Sequence, residues 1–260
     1  MGAVTATGAE RWLRRYGQAG GPGPTGVRTR LFCLHFAGGN ASAFRDWPDS
    51  LPPHIAVEAL MLPGRERRFR EPPIDRMDVL VDALVEALRP RLDLPYALFG
   101  YSFGAQVSFH LAHALRAAGL PMPVGLFVGA SAGPSVLGEV PGVRETDEEL
   151  IAYMRDLGGV GDDVLGEPDM LDLVLPALRA DLTAVATCPY TPRPALDLPV
   201  HAFSGEDDPT TARPSLMAEW SRETTGPFTQ TVHPGGHFFI DHAREDLVAA
   251  IAEDLDRLTA

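Results

Sequence analysis

Residues 96–104 read YALFGYSFG, a short apolar run that turns into a helical pattern. The residues before the turn are typical of a buried strand, and those after it are typical of a helix. Between them, Gly100, Ser102 and Gly104 form the pattern G-x-S-x-G. In this pattern a sharp turn lifts the serine hydroxyl clear of the sheet and places it at a helix N-terminus, which favours developing negative charge. We predict that Ser102 is a nucleophile; the alternative is a serine that only caps the helix.

Apolar runs of strand length alternate with helical segments on both sides of this turn. Strands are predicted at 31–36, 55–62, 96–100, 124–130, 200–204 and 228–232. Helices are predicted at 77–92, 103–118, 216–223 and 244–258. This alternation is typical of an α/β fold, with a mostly parallel sheet and helices on both faces. Functional residues of such sheets lie at the carboxyl ends of the strands.

The alternation breaks between about residues 133 and 199. A loop-like stretch there is followed by helical candidates at 146–157 and 169–187. An insertion of helices with apolar faces after a sheet strand is typical of a lid over a pocket. We predict one domain over residues 29–260 that carries this lid.

The N-terminal residues 1–28 differ from the rest of the chain. They contain a short helical candidate at 9–16 and a Gly/Pro cluster at 20–24. Such a cluster cannot hold regular structure. We therefore predict a flexible arm outside the fold.

The proposed nucleophile needs a base, because a serine hydroxyl is a poor nucleophile at neutral pH. His237 lies in the run GGHFF, just after the predicted strand 228–232, and its flanking glycines leave room for a substrate. His233, at the end of the same strand, is the alternative. We predict that His237 takes the proton from Ser102.

A carboxylate must orient the histidine and stabilise its protonated form. The run GEDDP follows the predicted strand 200–204 and offers three acids. We predict Asp208 for this role, with Asp207 as an alternative, although a solvated turn would also suit the run. The order Ser102, Asp208, His237 matches the chain order of the α/β-hydrolase fold and differs from the other serine-protease orders.

Acyl transfer by a serine also needs N–H donors for the tetrahedral oxyanion. One donor is expected to be the backbone N–H of Phe103, the residue after the nucleophile. The other is expected in the run FAGG after the first predicted strand, where we assign it to the N–H of Ala37.

The composition is that of an ordinary globular protein, with 260 residues of which 45% are hydrophobic. The formal net charge is −13, which argues against nucleic acid as a partner because phosphate binding needs clustered Lys and Arg. No apolar stretch approaches the roughly 20 residues that span a bilayer. The two cysteines match no metal site or disulfide framework. We expect a cytoplasmic protein with no metal, cofactor or membrane partner.

Five runs together resemble the type II thioesterases that serve polyketide synthases and nonribosomal peptide synthetases. These runs are FAGGNASAF at 36–44, LPGRE at 62–66, GYSFG at 100–104, LPALRAD at 175–181 and GGHFF at 235–239. The resemblance implies hydrolysis of acyl groups from the phosphopantetheine arm of a carrier protein, and it implies no cofactor. A small-molecule carboxylesterase or lipase with the same three residues is the rival interpretation.

The sequence departs from the resembled family beside the nucleophile and in the glycine-rich loop. The family usually has His before the nucleophile and Met after it, where this chain has Tyr101 and Phe103. The family commonly reads Pro-His-Ala-Gly-Gly where this chain has His35, Phe36 and Ala37. We expect both changes to reshape the acyl pocket.

The densest positive run in the chain contains Arg65, Arg67, Arg68 and Arg70. The resemblance implies an acidic carrier protein as partner, and an acidic protein needs a locally basic face to bind it. We expect these arginines to contribute to docking or to contact the pantetheine phosphate. The alternative is a solvated loop in which Arg65 pairs internally.

Overall fold

The computed structural model describes residues 8–17, 26–138, 146–158 and 168–260. Within these ranges one seven-stranded sheet has the order β1-β3-β2-β4-β5-β6-β7. Its strands are β1 (Leu13–Tyr16), β2 (Thr29–Leu34), β3 (Ile55–Leu60), β4 (Tyr96–Tyr101), β5 (Leu126–Gly129), β6 (Val200–Gly205) and β7 (Phe228–His233). The strands β2 to β7 are parallel to one another, and β1 alone runs antiparallel, beside β3. The predicted mostly parallel sheet is confirmed.

The helices follow the predicted alternation. They are α1 (Gly8–Trp12), α2 (Met77–Leu88), α3 (Phe103–Ala117), α4 (Asp147–Asp156), α5 (Pro168–Ala186), α6 (Pro214–Ala218), α7 (Phe239–His242) and α8 (Arg244–Leu258). The predicted helix at 77–92 ends earlier as an α-helix and continues as a 3-10 turn with a proline in its first turn. The predicted helix at 216–223 is α6 followed by a 3-10 turn. No helix in the described part of the chain is long and apolar enough to cross a membrane.

The sheet separates two apolar cores. In β2, Phe32 and Leu34 belong to one core, and Leu31 and Cys33 belong to the other. This alternation follows from the two-residue period of a strand, which sends successive side chains to opposite faces. The first core includes residues of α2, α3 and α5, and the second includes those of α8. Helices therefore cover both faces of the sheet, as predicted.

The N-terminal segment corrects two predictions. The helical candidate at 9–16 is a helix only through Trp12, and Leu13–Tyr16 form β1, paired antiparallel with β3. The prediction that the whole segment lies outside the fold is therefore wrong for residues 8–17. Pairing with β3 satisfies backbone groups of an edge strand and buries Leu13. The stabilisation from these contacts outweighs the local preference for a helix. The Gly/Pro cluster at 20–24 and residues 1–7 lie outside the described residues.

Helices occupy both predicted lid segments. Thr146 caps α4 in a reciprocal arrangement with Glu149, in which each side chain accepts from the other residue's backbone N–H. Buried side chains of α4 and α5 join the core on the α3 side of the sheet. These are Leu150, Met154, Leu175, Leu178 and Leu182. Residues 139–145 and 159–167 lie outside the described residues.

Candidate active site

The turn between β4 and α3 is strained and tightly packed. Ser102 has φ 55° and ψ −113°, an unusual conformation for a residue with a side chain. A Cβ atom at Gly100 would collide with the carbonyl of Gly104, and one at Gly104 would collide with the carbonyl of Leu34. The backbone N–H of Ser102 is held by the carbonyl of Gly129 at 2.7 Å. The two glycines therefore allow the close approach that exposes the serine hydroxyl.

The structure brings Ser102, His237 and Asp208 together from three distant segments. The Ser102 Oγ lies 3.1 Å from His237 Nε2, and His237 Nδ1 lies 3.0 Å from Asp208 Oδ2. Because a carboxylate only accepts hydrogen bonds, Nδ1 carries the ring proton and Nε2 accepts from the serine hydroxyl. His237 and Asp208 are both buried. This is the arrangement in which an imidazole can take the proton of an attacking hydroxyl.

Two threonines hold the Asp208 carboxylate. Its Oδ1 accepts from the backbone N–H and the hydroxyl of Thr210 at 2.9 and 2.7 Å, and its Oδ2 accepts from the hydroxyl of Thr211 at 2.7 Å. Burial alone would raise the pKa of Asp208, but the hydrogen bond and charge of His237, with the threonine hydroxyls, lower that pKa below its ordinary value. The carboxylate is therefore charged at neutral pH and can stabilise a protonated imidazole. Hydroxyl residues two and three positions after an aspartate are a turn signal, so the sequence itself contains the pattern that indicates these contacts.

The alternative residues lie elsewhere. The His233 ring stacks against Phe203 and Phe239, with ring centroids 5.9 and 5.3 Å away. Asp207 is exposed, whereas its neighbour Asp208 is buried against the imidazole. Neither alternative makes a hydrogen bond to Ser102 or His237 within the described residues.

Ser102 and His237 open into a cavity of about 290 Å³. Ala37 and Phe103, the residues predicted for the oxyanion hole, both line it. Ala37 follows β2 and Phe103 is the first residue of α3, so both predicted donors come from backbone beside Ser102.

The helices α4 and α5, which occupy the two predicted lid segments, form part of the same cavity wall. Tyr153 of α4 and Leu182 and Val185 of α5 line it. A second cavity of about 640 Å³ shares Tyr153, Val185 and Gln106 with the first, so the two are neighbours. A larger space therefore lies between α4, α5 and α3.

Tyr101 and Phe103 have different surroundings. Phe103 lines the cavity, but Tyr101 does not. The Tyr101 hydroxyl donates to the carbonyl oxygen of His237 at 2.5 Å, and its ring is fully buried. The expectation that Tyr101 reshapes the acyl pocket is therefore wrong, because the residue before the nucleophile faces the other core.

The arginine run divides into buried and exposed residues. Arg65 is buried in an ion pair with Asp181. Arg68 is buried between Glu71 and the carbonyl of Met61, with its guanidinium 3.9 Å from the centre of the Trp12 ring. The docking role expected for Arg65 and Arg68 is therefore wrong, because their charged groups face the protein interior.

Arg67 and Arg70 are exposed. The Arg70 guanidinium lies 5.3 Å from the centre of the exposed Phe69 ring. Among the described residues, no group of three or more His, Cys, Asp and Glu side chains could hold a metal ion.

A family model described as a thioesterase domain matches residues 29–258, nearly the whole chain. The chain therefore belongs to the thioesterase family, whose members hydrolyse thioesters, and its sheet is of the α/β-hydrolase type.

Three proteins illustrate the similarity. The gramicidin S biosynthesis protein GrsT of Aneurinibacillus migulanus is 33% identical over 234 residues, which cover 88% of this chain and 90% of that protein. The structure of RedJ, a thioesterase from the prodiginine biosynthetic pathway in Streptomyces coelicolor, is 41% identical with a TM-score of 0.84, covering 91% of this chain and 89% of RedJ. The type II thioesterase BorB from the borrelidin biosynthetic cluster is 35% identical with a TM-score of 0.82, covering 96% of this chain and 99% of BorB. The resemblance to type II thioesterases is confirmed.

Proposed function

We propose that the protein hydrolyses acyl thioesters on the phosphopantetheine arm of a carrier protein in a polyketide or nonribosomal peptide pathway. The observation that supports this most is the hydrogen-bonded series Ser102, His237 and Asp208 in a cavity walled by two inserted helices. Membership of the thioesterase family supports a thioester as the bond that is broken. The biosynthetic pathways of relatives such as GrsT and BorB support the kind of pathway.

The first half-reaction acylates Ser102. Its Oγ attacks the thioester carbonyl carbon while His237 Nε2 takes the hydroxyl proton, and Asp208 stabilises the resulting imidazolium. The backbone N–H groups of Ala37 and Phe103 bind the oxyanion, and the loss of one such donor costs about 2.7–4 kcal/mol. When the intermediate collapses, the carbon–sulfur bond breaks. The proton that His237 took from Ser102 passes to the pantetheine sulfur, which leaves as a thiol.

The second half-reaction releases the acid. His237 takes a proton from a water molecule, which attacks the acyl-serine carbonyl. Collapse of this second tetrahedral intermediate returns the proton to Ser102 Oγ and frees the carboxylic acid. Neither half-reaction changes an oxidation state, so the chemistry requires no oxidant or reductant.

The biological role that fits this chemistry is editing. An aberrant acyl group that stays on a carrier protein blocks the assembly line, and its hydrolysis frees the thiol. Carrier proteins are therefore the proposed partners. Both cysteines, Cys33 and Cys188, are free, which suits the cytoplasm as the proposed compartment.

Replacing Ser102 with alanine tests the proposal. Ser102→Ala is expected to lower hydrolysis of acyl-carrier protein by roughly a thousandfold or more, because no other hydroxyl occupies the nucleophile position. The measurement is mass spectrometry of carrier proteins that bear several different acyl groups, before and after incubation.

The matched control is Ser108→Ala on α3, the helix that follows Ser102. Ser108 is buried, its hydroxyl makes no hydrogen bond to the residues that the structure describes, and it does not line the cavity of Ser102. This variant is expected to keep full activity. Retained hydrolysis by Ser102→Ala would contradict the proposal, and faster hydrolysis of an oxygen ester than of the matching acyl-pantetheine thioester would favour a carboxylesterase.

A further inference from the structure

A buried ion pair joins the loop after β3 to the lid helix α5. Arg65 Nη1 donates to Asp181 Oδ2 at 2.7 Å, and Arg65 Nη2 donates to Asp181 Oδ1 at 2.8 Å. The two side chains are only 7% and 2% exposed. These two parallel bonds fix the relative direction of both groups, because the planar guanidinium matches the carboxylate.

Both partners of this pair also bind the loop that follows β2. The backbone N–H of Gly38 donates to Asp181 Oδ2 at 2.9 Å, and Arg65 Nη1 donates to the carbonyl of Gly39 at 3.1 Å. These two glycines come directly after Ala37, whose N–H is the proposed oxyanion donor. The ion pair therefore forms hydrogen bonds with the backbone groups next to that donor.

Helix α5 also contacts this loop through an apolar side chain. A Cβ atom at Gly38 would lie 3.2 Å from the Cβ of Leu178, and Gly38 has a φ of +72° that favours glycine. Leu178 and Asp181 are three residues apart, so they lie on the same face of the helix. One face of α5 thus sets the position of the loop by packing and by hydrogen bonding together.

Stability alone does not explain the ion pair. Burying two charges costs several kcal/mol per ion, and well-packed apolar residues of similar size often stabilise a protein as much or more. An apolar pair could fill this space, but it could neither accept from the Gly38 N–H nor donate to the Gly39 carbonyl. What Arg65 and Asp181 supply beyond packing is the orientation of these two peptide groups.

We propose that Arg65 and Asp181 are positioning residues for the oxyanion hole, which hold the Ala37 N–H in line with Ser102. This inference rests on the proposed acyl transfer to Ser102. It also links the lid to the chemistry, because the carboxylate that holds the loop belongs to α5.

Conservative variants test this role. Asp181→Asn and Arg65→Lys keep the size or the charge of the side chain but lose the paired bonds. Each is expected to lower kcat for an acyl-pantetheine thioester roughly 10- to 100-fold, part of the 10²- to 10³-fold effect of losing an oxyanion donor. KM is expected to change less than about threefold, because the oxyanion forms only after attack.

A second measurement separates positioning from general damage. A trifluoromethyl ketone analogue of acyl-pantetheine adds to Ser102 and places an oxyanion in the hole, whereas the matching amide analogue binds without reaction. The variants are expected to lose affinity for the ketone in proportion to kcat/KM and to keep affinity for the amide. Equal loss of affinity for both analogues would overturn the inference, since it would indicate a collapsed cavity.

Two further variants complete the design. Arg65→Met with Asp181→Leu is expected to fold with a lower Tm, because the Gly38 N–H and the Gly39 carbonyl lose their partners, and to show the same low kcat. Wild-type kcat in this folded double variant would overturn the inference. Arg68→Lys is the matched control: it alters a buried arginine of the same loop that makes no hydrogen bond to residues 37–39, and it is expected to keep kcat. If the wild-type enzyme and Ser102→Ala bind the ketone equally, the proposed function fails instead.

Discussion

Tyr101 precedes the nucleophile in sequence but makes its hydrogen bonds to the backbone around His237. Its hydroxyl donates to the carbonyl of His237 at 2.5 Å and accepts from the N–H of Ile240 at 3.3 Å. A Cβ atom at Gly129 would lie 2.7 Å from the Tyr101 ring, so the glycine on the neighbouring strand makes room for the ring. The hydroxyl therefore holds both sides of the turn that carries His237.

Removing this hydroxyl is expected to slow the reaction. Tyr101→Phe leaves two buried backbone groups without their partner, which costs about 1–3 kcal/mol of stability. It also frees the turn that carries His237, so kcat is expected to fall about tenfold with little change in KM, because misplaced catalytic groups cost rate. Steady-state kinetics and thermal denaturation measure the two effects.

Tyr96→Phe is the matched control on the same strand. Tyr96 is equally buried, and its hydroxyl donates to the carbonyl of Pro121 at 2.5 Å, away from His237. This variant is expected to lose comparable stability and to keep kcat. Equal losses of kcat in the two variants would mean that Tyr101 acts through stability alone.

Residue types and strand ends were enough to predict Ser102, His237 and Asp208 as a set. The contact between the Tyr101 hydroxyl and the His237 carbonyl could not be predicted in this way. It depends on how the turn that carries His237 packs against Tyr101 in the second core. The same holds for Asp181, which lies 116 positions from Arg65 in sequence. Contacts between distant segments leave no local pattern.

At the level of helices and strands, the long elements were the most predictable. The helix at 103–118 ends one residue earlier in the structure, and the one at 244–258 has the predicted limits. Their amphipathic patterns are long and lie within the segment itself. The four residues of β1 are too few for such a pattern, and their conformation is set by pairing with β3.

The error at β1 is connected with the error at Arg68. Arg68 is covered by the ring of Trp12, which directly precedes β1. Arg14 of β1 also pairs with Glu66 in the same loop. With residues 1–28 placed outside the fold, Trp12 could not be expected to cover Arg68, and internal pairing was considered only for Arg65.

The net charge of the molecule bears on what the two exposed residues of the arginine run, Arg67 and Arg70, can do. The net charge is −13, so an acidic carrier protein would be repelled over most of the surface. Arg67 and Arg70 are exposed in the loop after β3, at the edge of the sheet where the parallel strands end and Ser102 lies. We propose that these two residues, and not Arg65 or Arg68, contribute to docking.

Charge reversal tests this docking surface. Arg67→Glu with Arg70→Glu is expected to raise the apparent KM for acyl-carrier protein several-fold at low salt and to leave hydrolysis of a small acyl-pantetheine thioester unchanged. The expected effect shrinks as salt is added, because exposed charges are screened. Steady-state kinetics with both substrates at two salt concentrations provide the measurement.

The control makes the same change in charge at the opposite edge. Arg89 follows α2 before β4 begins, and Arg257 lines a small cavity with Val200, where β6 begins. Arg89→Glu with Arg257→Glu is expected to have little effect on either substrate. Equal effects of the two double variants on the carrier substrate would show that only net charge matters.

The account depends most on a covalent bond between the substrate acyl group and Ser102. Its direct test is rapid-quench mass spectrometry of peptides after the enzyme is mixed with an acyl-pantetheine thioester. We expect the acyl mass on the peptide that contains Ser102, formed at least as fast as turnover and absent in Ser102→Ala. Turnover with the acyl group on another nucleophile, such as the free thiol of Cys188, or on no residue at all, would contradict the account.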